Sequence, residues 1–119
     1  MSNVFITGDR QLTSAYGPLV AIEMLKAQAV GSKIVTTDMN GVAAMVRDLA
    51  QRAGVDIDVI PAPTDKADWD MFHSAVGQSF DPEFVVVHVD PHTSSVTKSV
   101  LAVAHEDKVR IVTHADLAI

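Results

Sequence analysis

The sequence predicts a three-layer α/β/α fold built around a five-stranded parallel sheet. Five short runs rich in Val, Ile and Thr alternate with four helical patterns along the 119 residues. Strands that are separated by helices imply right-handed crossovers and therefore parallel pairing. The length suits one domain, so residues 1–119 are expected to form a single domain.

The predicted strands are short β-branched runs that end at turn residues. The third, for example, stops at the Pro-Ala-Pro sequence of residues 61–63. The five strands are predicted at residues 3–7, 33–36, 55–60, 84–89 and 109–113.

The predicted helices fill the intervals between these strands. In the second, four apolar residues between positions 42 and 49 recur at helical spacing, and Gly54 follows as a helix cap. In the third, Trp69, Phe72 and Val76 lie on one face, which is expected to pack on the sheet. The four helices are predicted at residues 18–30, 41–53, 64–79 and 95–105.

The apolar pattern of the strands also predicts their order. Central parallel strands are covered on both faces and are apolar throughout, whereas edge strands alternate. The first and fourth strands are almost continuously apolar, but Asp56 and Asp58 alternate with apolar residues in the third, and Arg110 interrupts the fifth. The Rossmann-like order 3-2-1-4-5 satisfies this pattern, whereas the flavodoxin order 2-1-3-4-5 would put the third strand in the middle.

Composition narrows the partners that the chain can have. It contains no cysteine, no basic leader and no apolar run long enough to cross a membrane, which predicts a cytoplasmic protein without a membrane partner. The net charge is −6, and the nine Lys and Arg residues are spread singly. Because binding to a nucleic-acid backbone needs clustered cations, nucleic acid is not an expected partner. A mononucleotide is compatible, since helix N-termini and one arginine can hold its phosphate.

The predicted strand order also locates a candidate site. Open α/β sheets bind ligands beyond the carboxyl ends of the strands where the order reverses, which here is between strands one and four. Three loops meet there, and each of their residues also has an ordinary structural role in turns or helix caps. The candidate ligand-binding residues are Thr7, Gly8, Asp9 and Arg10 after the first strand, Asp38, Asn40 and Gly41 after the second, and Asp90, His92, Ser94 and Ser95 after the fourth.

These segments resemble those of a known family. The opening Asn-Val-Phe-Ile-Thr-Gly-Asp-Arg, residues 3–10, is similar to the V-x-V-T-G-S-R start of the SLOG superfamily. That superfamily comprises small Rossmann-like nucleotide-binding domains and includes the LOG phosphoribohydrolases; the likeness is closest to its short bacterial and phage members. Residues 34–43 stand where the group has I-H-G-G-A-x-G-A-D, residues 60–62 match its F-P-A, and residues 84–95 replace V-I-A-F-P-G-G-x-G-T.

The departures from the family pattern bear on activity. Thr37 and Asp38 replace glycines of the second motif, of which Gly41 is kept, and only a hydroxyl at the helix start remains of the phosphate loop. The glutamate that follows this loop in the LOG enzymes corresponds here to Lys98. The resemblance therefore implies a binding domain for a nucleotide or nucleotide-derived molecule, with no cofactor and no efficient chemistry.

Within that interpretation, Gly8 would let the backbone approach the ligand, Arg10 would bind a phosphate, and Ser94 and Ser95 would complete the cradle. Two alternatives are open. One is a protein–protein interaction module, encoded by a phage, on a degenerate nucleotide-binding scaffold. The other is a nucleotide N-glycosidase, a phosphoribohydrolase that uses Asp9, Asp38 or Asp90 in place of the missing glutamate.

Motifs of other functions are absent from the sequence. It contains no G-x-S-x-G nucleophile elbow, no Walker sequence and no G-x-G-x-x-G. His88, His92 and His114 fall near Asp90 and Asp116, but their spacing is not diagnostic, and no metal site is predicted. The first predicted helix is apolar on more than one face, which predicts a homodimer through it, with the second helix as the alternative surface.

Overall fold

The structure, a computed structural model, describes residues 2–10, 17–87 and 95–112. Its strands are β1 (Asn3–Gly8), β2 (Lys33–Thr37), β3 (Ile57–Ile60), β4 (Glu83–Val87) and β5 (Val109–Val112). All pair in parallel, in the order β3-β2-β1-β4-β5, which confirms the predicted fold class and strand order. The helices are α1 (Gly17–Ala29), α2 (Val42–Ala53), α3 (Trp69–Phe80) and α4 (Ser95–Val103).

Burial along the strands follows from their position in the sheet. The central strands β1 and β4 are buried along almost their whole length, whereas the edge strands β3 and β5 are only partly covered. Phe5 of β1 pairs with Val35 of β2 on one side and with Phe84 of β4 on the other. The polar residues of the edge strands therefore reach solvent without the loss of a buried contact.

The core has two halves, one on each face of the sheet. Ile6 and Val85 pack with residues of α1 and α2 on one face. Phe5 and Val86 pack with residues of α3 and α4 on the other. Side chains alternate along a strand, so Thr7 projects to the same face as Phe5, towards α3 and α4.

Several predicted boundaries differ from the observed ones for local reasons. The third strand begins at Ile57, two residues later than predicted, because the amide of Val55 still donates to Ala50 O at the end of α2. The third helix begins at Trp69, after a 3₁₀ turn over Lys66–Asp68 that Asp65 caps by accepting from the Ala67 amide at 3.0 Å. The fourth helix ends at Val103. Residues 88–89 and 113, predicted as strand ends, lie outside the described residues.

An ionic cluster links α1 to the edge of the sheet. Glu23 of α1 is only 3% exposed. Arg110 of β5 donates to both oxygens of this carboxylate, and its Nε donates to Glu83 Oε1 at 3.1 Å. Burial lowers the pKa of Arg110, but the hydrogen bonds and charges of Glu23 and Glu83 outweigh it and raise that pKa above its usual value. Lys26 Nζ lies 3.3 Å from the Glu23 carboxylate and adds a second cation.

None of the helices in the described residues is both long enough and apolar enough to cross a membrane.

Candidate functional site

The strand order creates a switch point between the carboxyl ends of β1 and β4. From β1 the chain builds outward to β2 and β3, and from β4 it builds the opposite way to β5. Thr7 and Gly8, the last residues of β1, pair with Val86 and Val87 of β4 at this point. Ser95 begins α4 and is partly exposed. Asp90, His92 and Ser94, which were also predicted to line the site, lie outside the described residues.

Gly8 allows the main chain to pass directly over the end of β4. A Cβ atom at Gly8 would lie 2.0 Å from Val87 O and 2.8 Å from Val42 Cγ2. The next amide, that of Asp9, donates to the same Val87 oxygen at 3.1 Å. The glycine thus has a packing role within the protein, and its predicted contact with a ligand remains a prediction.

Gly41 has a similar role on the second loop. Its φ is +74°, which non-glycine residues rarely adopt, and a Cβ there would lie 2.0 Å from Asp9 O and 2.5 Å from Arg10 Cα. The Val42 amide, at the start of α2, donates to Asp9 O at 3.0 Å. The loop after β1 and the start of α2 are therefore in direct backbone contact, and this amide is used within the chain.

Arg10 lies on the indole of Trp69. Its guanidinium carbon is 4.8 Å from the ring centroid, within the range of a cation–π interaction. Trp69 is itself fixed, because it is 2% exposed and its Nε1 donates to Pro63 O at 3.0 Å. The Arg10 side chain is exposed, and no carboxylate of the described residues forms an ion pair with it. A rigid aromatic surface therefore holds a cation at the end of β1.

Thr7 provides a buried hydroxyl at the switch point. It is 1% exposed, and its Oγ1 has no hydrogen-bond partner among the described residues. The neighbouring strand shows the usual arrangement, since Thr36 Oγ1 donates to Ile6 O at 2.7 Å and Thr37 Oγ1 accepts from the Met39 amide at 3.3 Å. A buried hydroxyl without a partner costs about 1–3 kcal/mol, so this atom is suited to a group that arrives from outside.

The loop after β2 is tied down by its own polar groups. Asp38 Oδ1 accepts from the Ala62 amide at 2.9 Å, which joins this loop to the turn after β3. Arg47 Nη1 donates to Thr37 O and to Met39 O, both at 2.7 Å. Asn40 is exposed. The hydrogen bond from the Ala62 amide occupies one carboxylate oxygen of Asp38.

Two lysines lie beside Trp69. From the sequence, Lys98 was considered only as the residue at the position of the LOG glutamate, and Lys66 was not considered. Lys66 and Lys98, together with Trp69, line a depression of about 230 Å³. Asp70, Ser95, Ser99 and Ala102 complete its lining. Neither lysine forms an ion pair with a carboxylate of the described residues. Their separation by 32 positions in the chain explains why sequence inspection did not connect them.

A polar chain that runs from Asp70 in this depression to the buried Ser99 and His73 was also missed. The Ser99 hydroxyl donates to Asp70 Oδ1 at 2.6 Å and lies 2.9 Å from His73 Nδ1. His73 is fully buried, which lowers its pKa to about 4, although the Trp69 backbone and the Asp70 charge act to raise it. The spacing of Trp69, His73 and Val76 on the inner face of α3 was the available signal.

These three residue types occur in hydrolases, but their order here is different. A hydrolytic triad places histidine between serine and aspartate, so that the imidazole accepts the serine proton. Here the serine lies between the other two and its proton is directed to Asp70. His73 Nε2 is buried and has no partner among the described residues. The arrangement therefore ties α3 to α4 and does not activate Ser99 as a nucleophile.

A second depression, of about 670 Å³, lies at the opposite end of the strands, around the amino ends of β1, β4 and β5. Its lining includes Glu23, Glu83 and Asp81, and also Lys26, Lys108 and Arg110. These charges are paired with one another: Lys108 Nζ lies 3.5 Å from Asp81 Oδ1, and Arg110 binds both glutamates. Despite its size, this surface offers no unpaired cation to an anionic ligand in the part of the chain that the structure describes.

In the described ranges, no three His, Asp or Glu side chains lie close enough to hold a metal ion. The histidines and aspartates considered as metal ligands in the sequence, His88, His92, His114, Asp90 and Asp116, are all outside those ranges.

Comparison with known proteins shows a distant likeness in fold only. No protein-family model matches the chain, and no curated protein matches it. Among solved structures, it is similar to the crystal structure of glucose-6-phosphate 1-dehydrogenase from Mycobacterium avium, with 11% sequence identity and a TM-score of 0.46. The match covers 94% of this chain and 29% of that one, so the chain spans less than a third of the dehydrogenase. A likeness this distant carries no argument about function, and the fold class rests on the observed strand order.

Proposed function

We propose that the protein binds a nucleotide or a nucleotide-derived small molecule at the switch point between β1 and β4, without efficient chemistry of its own. The observation that carries this proposal is Arg10, an exposed guanidinium held on the buried Trp69 with no carboxylate partner in the described residues. A fixed and uncompensated arginine is suited to a phosphate, which it can bind through two parallel hydrogen bonds.

Two further features support the same ligand. The Thr7 hydroxyl, which has no hydrogen-bond partner among the described residues, lies at the carboxyl end of β1, where ligands of open α/β sheets bind. Ser95 lies at the start of α4, whose first backbone amides favour an anion. Membership of the SLOG superfamily remains a prediction, supported by the sequence likeness and compatible with the fold.

Isothermal titration calorimetry with AMP tests the proposal. The wild-type protein is expected to bind AMP, and Arg10→Gln to lose at least about tenfold in affinity, because a charge-assisted phosphate contact is removed. Glutamine is preferred to alanine, since it keeps a side chain over the Trp69 ring. Arg52→Gln is the matched control, because Arg52 is an exposed arginine of α2 that pairs only with Asp48 among the described residues.

The results separate a site from general electrostatics. Equal losses in the Arg10 and Arg52 variants would mean that net charge, and not a site at β1, controls binding. Failure of the wild-type protein to bind AMP or ADP-ribose at millimolar concentration would refute the proposal and favour the protein-interaction alternative.

A homodimer is the partner that we propose for α1. Ile22 and Leu25 project from this helix with 40% and 64% of their surface exposed, and Ile111 of the adjacent β5 is also exposed. Leu19, Val20 and Met24 of the same helix are buried in the core. The helix is thus apolar beyond the face that the sheet covers, which is typical of a surface that is covered by a partner.

A further inference from the structure

The lysines and arginines of this acidic protein differ in whether they form ion pairs with carboxylates. Of the nine, five form ion pairs with carboxylates: Lys26, Lys33, Arg52, Lys108 and Arg110. Arg47 donates to two backbone carbonyls. The remaining three, Arg10, Lys66 and Lys98, form neither an ion pair with a carboxylate nor a hydrogen bond to a carbonyl within the described residues.

These three cations share one neighbour, Trp69. Arg10 covers the indole ring, and Lys66 and Lys98 line the depression of which Trp69 forms part of the wall. The depression opens between the first turns of α3 and α4, at the same end of the sheet as the switch point. In a protein with a net charge of −6, the cations without a carboxylate or carbonyl partner among the described residues are therefore grouped around Trp69.

The placement of Lys98 is unfavourable in the absence of a ligand. It is in the first turn of α4, which contains no acidic residue, and the positive end of a helix dipole repels a cation. Lys66 is in the 3₁₀ turn that leads into α3, between Asp65 and Asp68 in the sequence. Asp70 is the one carboxylate in the described lining, and it accepts a hydrogen bond from the Ser99 hydroxyl at 2.6 Å. One carboxylate against two lysines leaves a net positive charge.

We propose that the depression between α3 and α4 is a second anion subsite, in which Lys66 and Lys98 bind a phosphate beyond the one held by Arg10. This inference rests on the proposed function and specifies its ligand class, which is a nucleotide with at least two phosphates. A volume of about 230 Å³ is below that of a typical cofactor pocket and accommodates a phosphate group and its water molecules. The base and ribose remain at the switch point.

Titration calorimetry with AMP and ADP tests this subsite. The wild-type protein is expected to bind ADP about tenfold more tightly than AMP, as one additional charge-assisted phosphate contact provides. The double variant Lys66→Gln/Lys98→Gln should lose that preference and keep the wild-type affinity for AMP. Because both lysines are exposed, the preference should also weaken as salt rises from about 0.05 M to about 0.5 M.

The control variant is Lys33→Gln/Lys108→Gln, which changes the net charge equally. Lys33 and Lys108 are exposed or partly exposed lysines that lie near the amino ends of the strands, and each is paired with an aspartate. This control should retain the wild-type preference for ADP.

The outcomes distinguish the subsite from the proposed function. AMP binding with no preference for ADP, or a preference that survives in Lys66→Gln/Lys98→Gln, overturns the subsite and leaves the proposed function intact. A preference lost equally in the control overturns the subsite as well, because it assigns the effect to overall charge. Absence of binding to either nucleotide overturns the proposed function, and this inference with it.

Discussion

Replacement of Gly41 by alanine gives a direct measure of the contact that fixes the candidate site. Two costs combine in Gly41→Ala. A side chain at a φ of +74° costs about 1–2 kcal/mol. In addition, the new Cβ would lie 2.0 Å from Asp9 O and 2.5 Å from the Arg10 backbone, so the two main-chain segments must separate. We expect this overpacking to add about 1–3 kcal/mol.

The separation also weakens a hydrogen bond. The Val42 amide donates to Asp9 O at 3.0 Å, across the same contact, and its loss costs about 1 kcal/mol. We therefore expect Gly41→Ala to lower the free energy of unfolding by roughly 3–6 kcal/mol, a large part of the usual stability of a domain.

Gly54→Ala is the reference for a glycine with a positive φ and open space. Gly54 has a φ of +68° and a ψ of 32°, in the left-handed helical region, whereas Gly41 combines its φ of +74° with a ψ of −127°, and a Cβ at Gly54 would meet no atom within 4 Å. It should cost only about 1–2 kcal/mol, the backbone term alone. Gly17→Ala, where φ is not positive and space is open, should be neutral or stabilising by up to about 1 kcal/mol.

Urea unfolding followed by circular dichroism and by the fluorescence of the single tryptophan measures all three variants. With an m-value of about 2 kcal/mol/M, Gly41→Ala should lower the midpoint by roughly 1.5–3 M, and Gly54→Ala by less than about 1 M. A Gly41→Ala midpoint within error of that of Gly54→Ala would refute the reasoning, because it would show that the loop after β1 does not press on the start of α2.

Three further predictions concern the core and the surface. Arg110→Met should lower the free energy of unfolding in urea by about 2–4 kcal/mol, because it leaves the buried Glu23 carboxylate with Lys26 as its one cation. Lys108→Met, which removes an exposed ion pair, should lower it by less than about 1 kcal/mol. Similar losses in the two variants would contradict a buried role for Glu23. His73 has a pKa of about 4 in the folded protein, below its unfolded value of about 6.5, so the unfolded state binds the proton first and stability should fall as the pH drops from 6.5 to 4. His73→Phe should flatten that part of the pH profile, and an unchanged slope would assign it to other groups. Leu25→Glu should convert a dimer into a monomer in light scattering at tens of micromolar protein, and a monomeric wild type would remove the basis for the proposed dimer.

The strand order could be predicted because it depends on a local property of the sequence. Whether a strand is central or at an edge decides how many of its faces are buried. This is visible in Asp58 of β3 and Arg110 of β5, which interrupt the apolar pattern of the two edge strands. The same reasoning placed the switch point between β1 and β4. The predicted ends of helices and strands were less accurate, because each end depends on single contacts, such as the hydrogen bond from the Val55 amide to Ala50 O.

The buried polar groups could not be predicted, because each depends on a distant partner. The carboxylate of the buried Glu23 is bound by Arg110, which lies 87 positions later in the chain. The hydrogen bond of Ser99 to Asp70 likewise joins two helices that are far apart in sequence. Sequence inspection assigned Phe72 to the inner face of α3, where the structure shows it half-buried, and it overlooked His73, which is fully buried. A histidine at helical spacing from Trp69 and Val76 was a usable signal.

Substitutions at the candidate site differ in how much they affect the stability of the fold and how much they affect ligand binding alone. Gly41 contacts the backbone of Asp9 and Arg10, so its replacement disturbs the fold and the position of the Arg10 guanidinium together. Lys66 and Lys98 are exposed and bind no carboxylate of the described residues, so their replacement removes positive charge without the loss of a packed contact. Arg10 lies between these cases, because its contact with Trp69 contributes about 0.5–1 kcal/mol. Loss of binding in the lysine variants therefore reports on the ligand, whereas loss of binding in a Gly41 variant reports first on the fold that positions Arg10.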